Sequence, residues 1–139
     1  MASRSIDALH PKVRGMALKF LDACKTAGID ILIYCTYRSP EEQNDLYAQG
    51  RSRPGKVVTN ARGGESYHNW CLAFDWVPVL GGKPQWSDTD LYRKAGVLAE
   101  SVGLEWAGRW TGALRETAHC QFTGGLKIAD LKAGKELKC

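Results

Sequence analysis

Val13, Ala17, Phe20, Leu21 and Cys24 fall on one helical face. Pro11 suits the first turn of that helix and Gly28 the residue beyond its last. The pattern predicts a helix starting at His10-Pro11, preceded by a short helical turn over residues 5–9 with Ser5 as its cap. Asp30 to Cys35 reads as a short apolar strand. The turn Tyr37-Arg38-Ser39-Pro40 then leads into a second helix, Glu41 to Gln49, with Ser39 and Glu42 spaced as a capping box and Gly50 as its stop. Residues 51–66 are polar and glycine-rich and predict a long loop, a feature that commonly carries function in compact domains. From 71 to 80 the side chains alternate, with Cys71, Ala73, Asp75 and Val77 on one side and Leu72, Phe74 and Trp76 on the other. The large residues build a core, and the small ones leave room around a carboxylate. Gly81-Gly82 predicts a hairpin returning through Pro84-Gln85-Trp86. A helix from Asp88 to Val102, a short segment Leu104–Trp106, a strand around Ala118–Phe122 and an amphipathic helix from Leu126 to Leu137, broken near Gly134, complete the pattern. Helices and strands mix without βαβ regularity, so the expected fold class is α+β.

Composition narrows this further. The 139 residues suit one domain, 1–139, with no repeat, low-complexity tract or linker inside it. At 44% hydrophobic and 24% charged, the chain is of ordinary globular composition, which excludes disordered and fibrous classes. No apolar run approaches the length of a membrane span, and the N-terminus has no apolar region of the kind a secretory signal needs. Nineteen Lys+Arg against fifteen Asp+Glu give a net charge of +4, too mild for a nucleic-acid binder. The five cysteines form no C-x-x-C pair and are expected to be reduced, mostly buried thiols, with Cys139 the exposed exception.

Three polar features carry candidate chemistry: His68 at the end of the long loop, Asp75 in the strand after it, and the pair Glu116/His119. A loop running into a strand can aim His68 and Asp75 at one point, with His119 entering from another strand beside Gln121. Two imidazoles and a carboxylate make a catalytic zinc set with a fourth position left for water, and the nitrogen ligands favour zinc over magnesium or calcium. Glu116, three residues before His119, is placed to act as general base off the metal. Spacing also admits a Ser66–His68–Asp75 triad, without a G-x-S-x-G elbow around it, and a site using Cys71 or Cys120 as thiolate ligand.

The run Ser66-Tyr-His68-Asn-Trp-Cys-Leu-Ala-Phe-Asp75 resembles the S-x-H-x-x-G-x-A-x-D motif of the LAS metallopeptidases. These include D-alanyl-D-alanine carboxypeptidases and L-alanyl-D-glutamate endopeptidases, many of them phage endolysins. Tyr37-Arg38-Ser39 through Gln43 to Tyr47, Gly55 to Ala61, Gly103 to Trp110, and Glu116-Thr-Ala-His119-Cys-Gln121 resemble further segments of that family, in order along nearly the whole chain. The resemblance implies a small hedgehog/DD-peptidase-like domain, a Zn²⁺ ion on His68, Asp75 and His119, and Glu116 as the base. It implies that Arg38 holds a substrate carboxylate or the oxyanion. It places Gln43 and Ser66 at the substrate side, supporting the cleft by hydrogen bonding, and Trp106 and Trp110 as its walls, with a core role for one of the two tryptophans left open. Two positions depart from the pattern. Cys71 stands where glycine is usual, which sets a side chain close to the metal, and Arg109 changes the charge beside the substrate.

The implied substrate is the peptidoglycan stem peptide, cut as by an L-alanyl-D-glutamate endopeptidase. The alternatives are D-alanyl-D-alanine carboxypeptidase action on the same fold, or a non-catalytic zinc-stabilised wall-binding module. The expected protein is a monomer, made in the host cytoplasm and acting on the wall after membrane permeabilisation, with no appended wall-binding module. Lys127, Lys132, Lys135 and Lys138, with Asp130 and Glu136 interspersed, read as the solvated face of the last helix.

Overall fold

The structure, a computed structural model, describes residues 2–112 and 115–137. Lys138 and Cys139, expected respectively on the basic helix face and as an exposed thiol, lie outside the described residues. A short 3₁₀ turn, Ile6–Ala8, is capped by Ser5, whose hydroxyl accepts from the Asp7 amide. Helix α1 (Pro11–Thr26) follows with Pro11 at its start and buries Val13, Ala17, Phe20 and Cys24, the face that the periodicity predicts. Gly28 turns the chain out of it at φ +79°, a left-handed conformation that suits glycine. Strand β1 (Asp30–Cys35) leads to helix α2 (Pro40–Ala48), whose capping box between Ser39 and Glu42 is formed on both sides.

Strand β2 (Ala73–Leu80) is the centre of the sheet. It pairs antiparallel with β1 on one side and with β5 (His119–Gln121) on the other; β4 (Glu105–Trp106) lies outside β5, and β3 (Lys83–Pro84) returns along the end of β2. Helix α3 (Thr89–Ser101), capped by Asp88, packs with α1. The core is an aromatic stack. Phe20 of α1 meets Phe74 and Trp76 of β2 at 5.9 and 5.2 Å, and Trp76 meets Tyr92 of α3 at 5.1 Å. Burying such rings stabilises the fold by about 1.5–3 kcal/mol each. With Phe74 and Trp76 committed to the helices, strand alternation turns Asp75 to the opposite face of the sheet. That is the α+β fold expected from the pattern.

Helix α4 is shorter than predicted. It spans Ile128–Lys132, because Gly134 takes φ +91° and ends the helical path before Leu137. Its basic side is partly neutralised, since Lys132 pairs with Glu65 and Lys135 with Asp130. Among the described residues no helix is long and apolar enough to cross a membrane.

Candidate metal centre and active site

Pairing register assembles the site. Asp75 lies directly opposite His119 across the β2–β5 ladder, so both side chains project from the same face. His68 comes from the 3₁₀ turn Tyr67–Trp70 that closes the long loop. Ser66 caps this turn by accepting from the His68 amide at 3.2 Å, and Asn69 accepts from Ser66 and Gly64. The Asn69 amide donates to the Arg38 carbonyl at 2.8 Å, and the Arg38 amide donates to the His68 carbonyl at 3.1 Å. The arginine segment and the histidine turn are thus held against each other.

Three donor atoms converge. His68 Nε2 and His119 Nδ1 lie 3.1 and 3.2 Å from Asp75 Oδ1. The far side of each ring is occupied: His68 Nδ1 sits 2.9 Å from the Thr36 carbonyl, and His119 Nε2 sits 2.8 Å from Gln121 Oε1. A carbonyl oxygen only accepts, so those far nitrogens carry protons, and in the neutral rings the near nitrogens are left with lone pairs that a cation could take. Donors around a four-coordinate zinc ion are separated by roughly 3.3 Å. The chemistry of these three groups, and the separations of His68 and of His119 from Asp75, suit such an ion. Burial alone would raise Asp75, but the two imidazoles outweigh it and hold the acid well below the usual carboxylate range. Burial alone would lower His68, but the charge and hydrogen bond of Asp75 outweigh that and push it up; this favours an imidazolium donating Nε2–H to Asp75, a proton that a cation on the same nitrogen would displace.

Glu116 stands beside this set with Oε2 4.0 Å from His119 Nδ1, its side chain 59% exposed and reachable by water. Asp75, Glu116 and His119 offer donors within 4.8 Å of one another, as do Cys35, His68 and Asp75. The site opens into a cavity of about 430 Å³ lined by Arg38, Ser66, Trp110 and Glu116 among others. Arg38 reaches within 3.8 Å of Asp75 Oδ2. It is anchored by donating to Gln43 Oε1 at 2.8 Å and to Cys35 Sγ at 3.3 Å. Its Nε is buried with no partner among the described residues.

The structure sorts the expected roles. Gln43 is completely buried and does not reach a substrate; besides holding Arg38, it donates to Thr59 and Ala61 of the long loop. Trp106 is also buried, its indole donating to the Thr117 carbonyl and its ring lying against Gly96 and Gly108, where any Cβ would collide. Trp110 does line the cavity, 6.0 Å from the His119 ring. Ser66 lines it too, but its hydroxyl serves the His68 amide rather than the imidazole, so the serine triad is not assembled. Cys71 lines a different cavity, with His10 and Leu72, and sets no side chain beside the donor set. Cys120 is buried and accepts from Trp76 on the core face. Arg109 turns away to a two-pronged pair with Glu100, leaving the charge beside the cleft unaltered. Sequence reasoning missed Cys35 and Thr36. The only hint was their position at the end of β1, just before the arginine.

A His/Asp/His donor set with an adjacent glutamate thus stands on a small antiparallel sheet backed by helices. The chain belongs to the VanY D-alanyl-D-alanine carboxypeptidase family, whose model matches residues 7–124. It is 40% identical over 111 residues to the peptidoglycan L-alanyl-D-glutamate endopeptidase CwlK of Bacillus subtilis, covering 73% of this chain and 66% of that one. It is 31% identical over 120 residues to the L-alanyl-D-glutamate peptidase of Listeria phage A118, covering 85% of this chain and 39% of that one. The chain thus spans just under two thirds of the first relative's length and well under half of the second's. Its fold is that of the vancomycin-resistance D,D-pentapeptidase VanY from a VanB-type cassette, solved with Zn(II). There the TM-score is 0.63 at 16% identity, over 88% of this chain and 82% of that one.

Proposed function

We propose that this chain is a zinc peptidase that hydrolyses the L-alanyl-D-glutamate bond of peptidoglycan stem peptides, working as a phage-type endolysin. The observation that carries the reading is the convergence of His68 Nε2 and His119 Nδ1 on one oxygen of Asp75, with Glu116 alongside at the cavity wall. His68, Asp75 and His119 would hold the cation. When bound, it supplies Lewis-acid polarisation of the scissile carbonyl and brings the pKa of water down towards about 7.

The protein groups do the rest. Glu116 takes the proton of the attacking water and delivers it to the leaving amine. Arg38, held by Gln43 and Cys35, presents a preformed fork of donors to the developing oxyanion or to a substrate carboxylate, at little reorganisation cost. Trp110 walls the cleft beside His119. Localisation follows from this reading: the protein acts at the wall. The family description favours a second reading, removal of a terminal D-alanine on the same site, whereas the Bacillus subtilis and Listeria phage relatives are an L-alanyl-D-glutamate endopeptidase and an L-alanyl-D-glutamate peptidase.

Mass spectrometry of digested peptidoglycan separates the two. A new N-terminal D-glutamate, lost on adding a chelator and restored by zinc, is the expected result. Released D-alanine makes the protein a carboxypeptidase, and no cleavage by zinc-loaded protein points to a binding module. Glu116→Gln is expected to slow turnover by about 10²–10⁴-fold with zinc content unchanged, as loss of a general base should. Full activity in that variant sinks the assignment of the base.

A further inference from the structure

The cleft continues beyond Glu116. An adjoining cavity of about 470 Å³ shares Thr59, Ala61, Glu65 and Glu116 with the first and adds Tyr47 and Arg62. The charges around this extension are uneven. Glu65 is taken up by Lys132 at 2.7 Å. Arg51 lies 3.8 Å from the Tyr47 ring centroid and gives its N–H groups to the carbonyls of Tyr47 and Thr59 and to the Asn60 side chain, so neutral dipoles hold it rather than a carboxylate. Arg62 is exposed, its guanidinium 5.2 Å from the same ring. No hydrogen bond or ion pair engages that guanidinium among the described residues. Two guanidinium groups therefore share one phenol ring; Glu65 and Glu116 line the same cavity, but among the described residues neither forms an ion pair with Arg51 or Arg62, and the ring offers them only a weak electrostatic attraction.

A ligand lying along this cleft meets Glu116 and the donor set in one part and unmatched positive charge in the other. A glutamate residue joined into a chain through two of its three functional groups keeps one carboxylate free. Resting on the endopeptidase reading, we infer that Arg62, backed by Tyr47 and Arg51, receives a free carboxylate of the stem peptide and makes the enzyme selective for acidic over amidated stems. The guanidinium suits this task, since its planar fork binds a carboxylate two-pronged, whereas a carboxamide lacks the charge that strengthens the contact. The groove stays open to solvent, so the attraction is screened by salt.

The test uses two synthetic stem peptides that differ only in whether the D-glutamate carboxylate is free or a carboxamide. Wild-type, zinc-loaded protein is expected to prefer the acidic peptide about fivefold in kcat/KM at low salt, a preference of the size an exposed charge pair gives, and less at high salt. Arg62→Ala brings the ratio to about one, Arg62→Lys keeps part of it, and Arg62→Glu inverts it. Equal cleavage of both peptides by wild type, or a preference that Arg62→Ala leaves intact, overturns the inference while leaving the endopeptidase reading standing. Cleavage of neither peptide by wild type overturns that reading and this inference with it.

Discussion

At Cys71 the backbone adopts φ +63°, a left-handed conformation that no other non-glycine residue among those described takes up. A side chain there costs about 1–2 kcal/mol relative to ordinary backbone. The chain accepts it because Cys71 closes the turn carrying His68, its amide donating to the Tyr67 carbonyl. Cys71→Val should therefore lower stability by about 1–2 kcal/mol, since a β-branched residue tolerates positive φ least, while Cys71→Gly is neutral or stabilising. Urea unfolding of the two variants checks the ordering, and equal stability of the two would refute it. The other cysteines that the core accounts for are inert: burial pushes the thiols of Cys24 and Cys120 up to about 12.

Between elements, Gln43 matters most. It stands on the inward side of α2 and joins Arg38 to Thr59 and Ala61 across the loop of residues 51–66. Gln43→Ala should cost about 1–3 kcal/mol, because it strips partners from buried donors and acceptors. Kinetically, kcat should fall more than KM rises while zinc content stays at one ion, the signature of a positioning residue acting through Arg38. A loss of zinc instead would place Gln43 in support of the donor set. This residue also marks where sequence reading runs out. The helices α1 and α2 and strand β1 were legible because their caps, stops and periodicity are local signals, as at Ser39, Glu42 and Gly28. The grouping of His68, Asp75, Glu116 and His119 was legible from spacing and from resemblance. Which of Gln43, Trp106 and Trp110 faces the cleft was not, since that depends on how α2, α3 and β4 pack. Cys35 reaches Arg38 and His68 through a register shift between Ile33 and Cys35, which no pattern of side chains announces. The length of α4 was overstated because helical periodicity continues past Gly134 while the backbone does not.

Across the whole molecule, charge, core and site divide the sheet between them: one face belongs to Phe74 and Trp76, the other to Asp75 and His119. A net charge of +4 is mild: it suits weak attraction to an anionic polymer and serves solubility equally well. The terminal segment ties itself to the site from outside the sheet. Tyr67, next to His68, donates its hydroxyl to the Leu126 carbonyl at 2.7 Å, Lys132 grips Glu65 at 2.7 Å, and Leu131 is buried in the core. Leu126, Leu131 and Lys132 lie past residue 124, where the family match stops, so a chain ended at Gly125 keeps every candidate site residue and loses these braces. Such a chain should melt several degrees lower and surrender zinc to a chelator faster, and unchanged values for both would show the braces to be idle. In any chimaera that carries this chain, the cut must fall beyond the family-matched residues 7–124, because the stretch from Leu126 to Lys132 is a splint for the histidine turn.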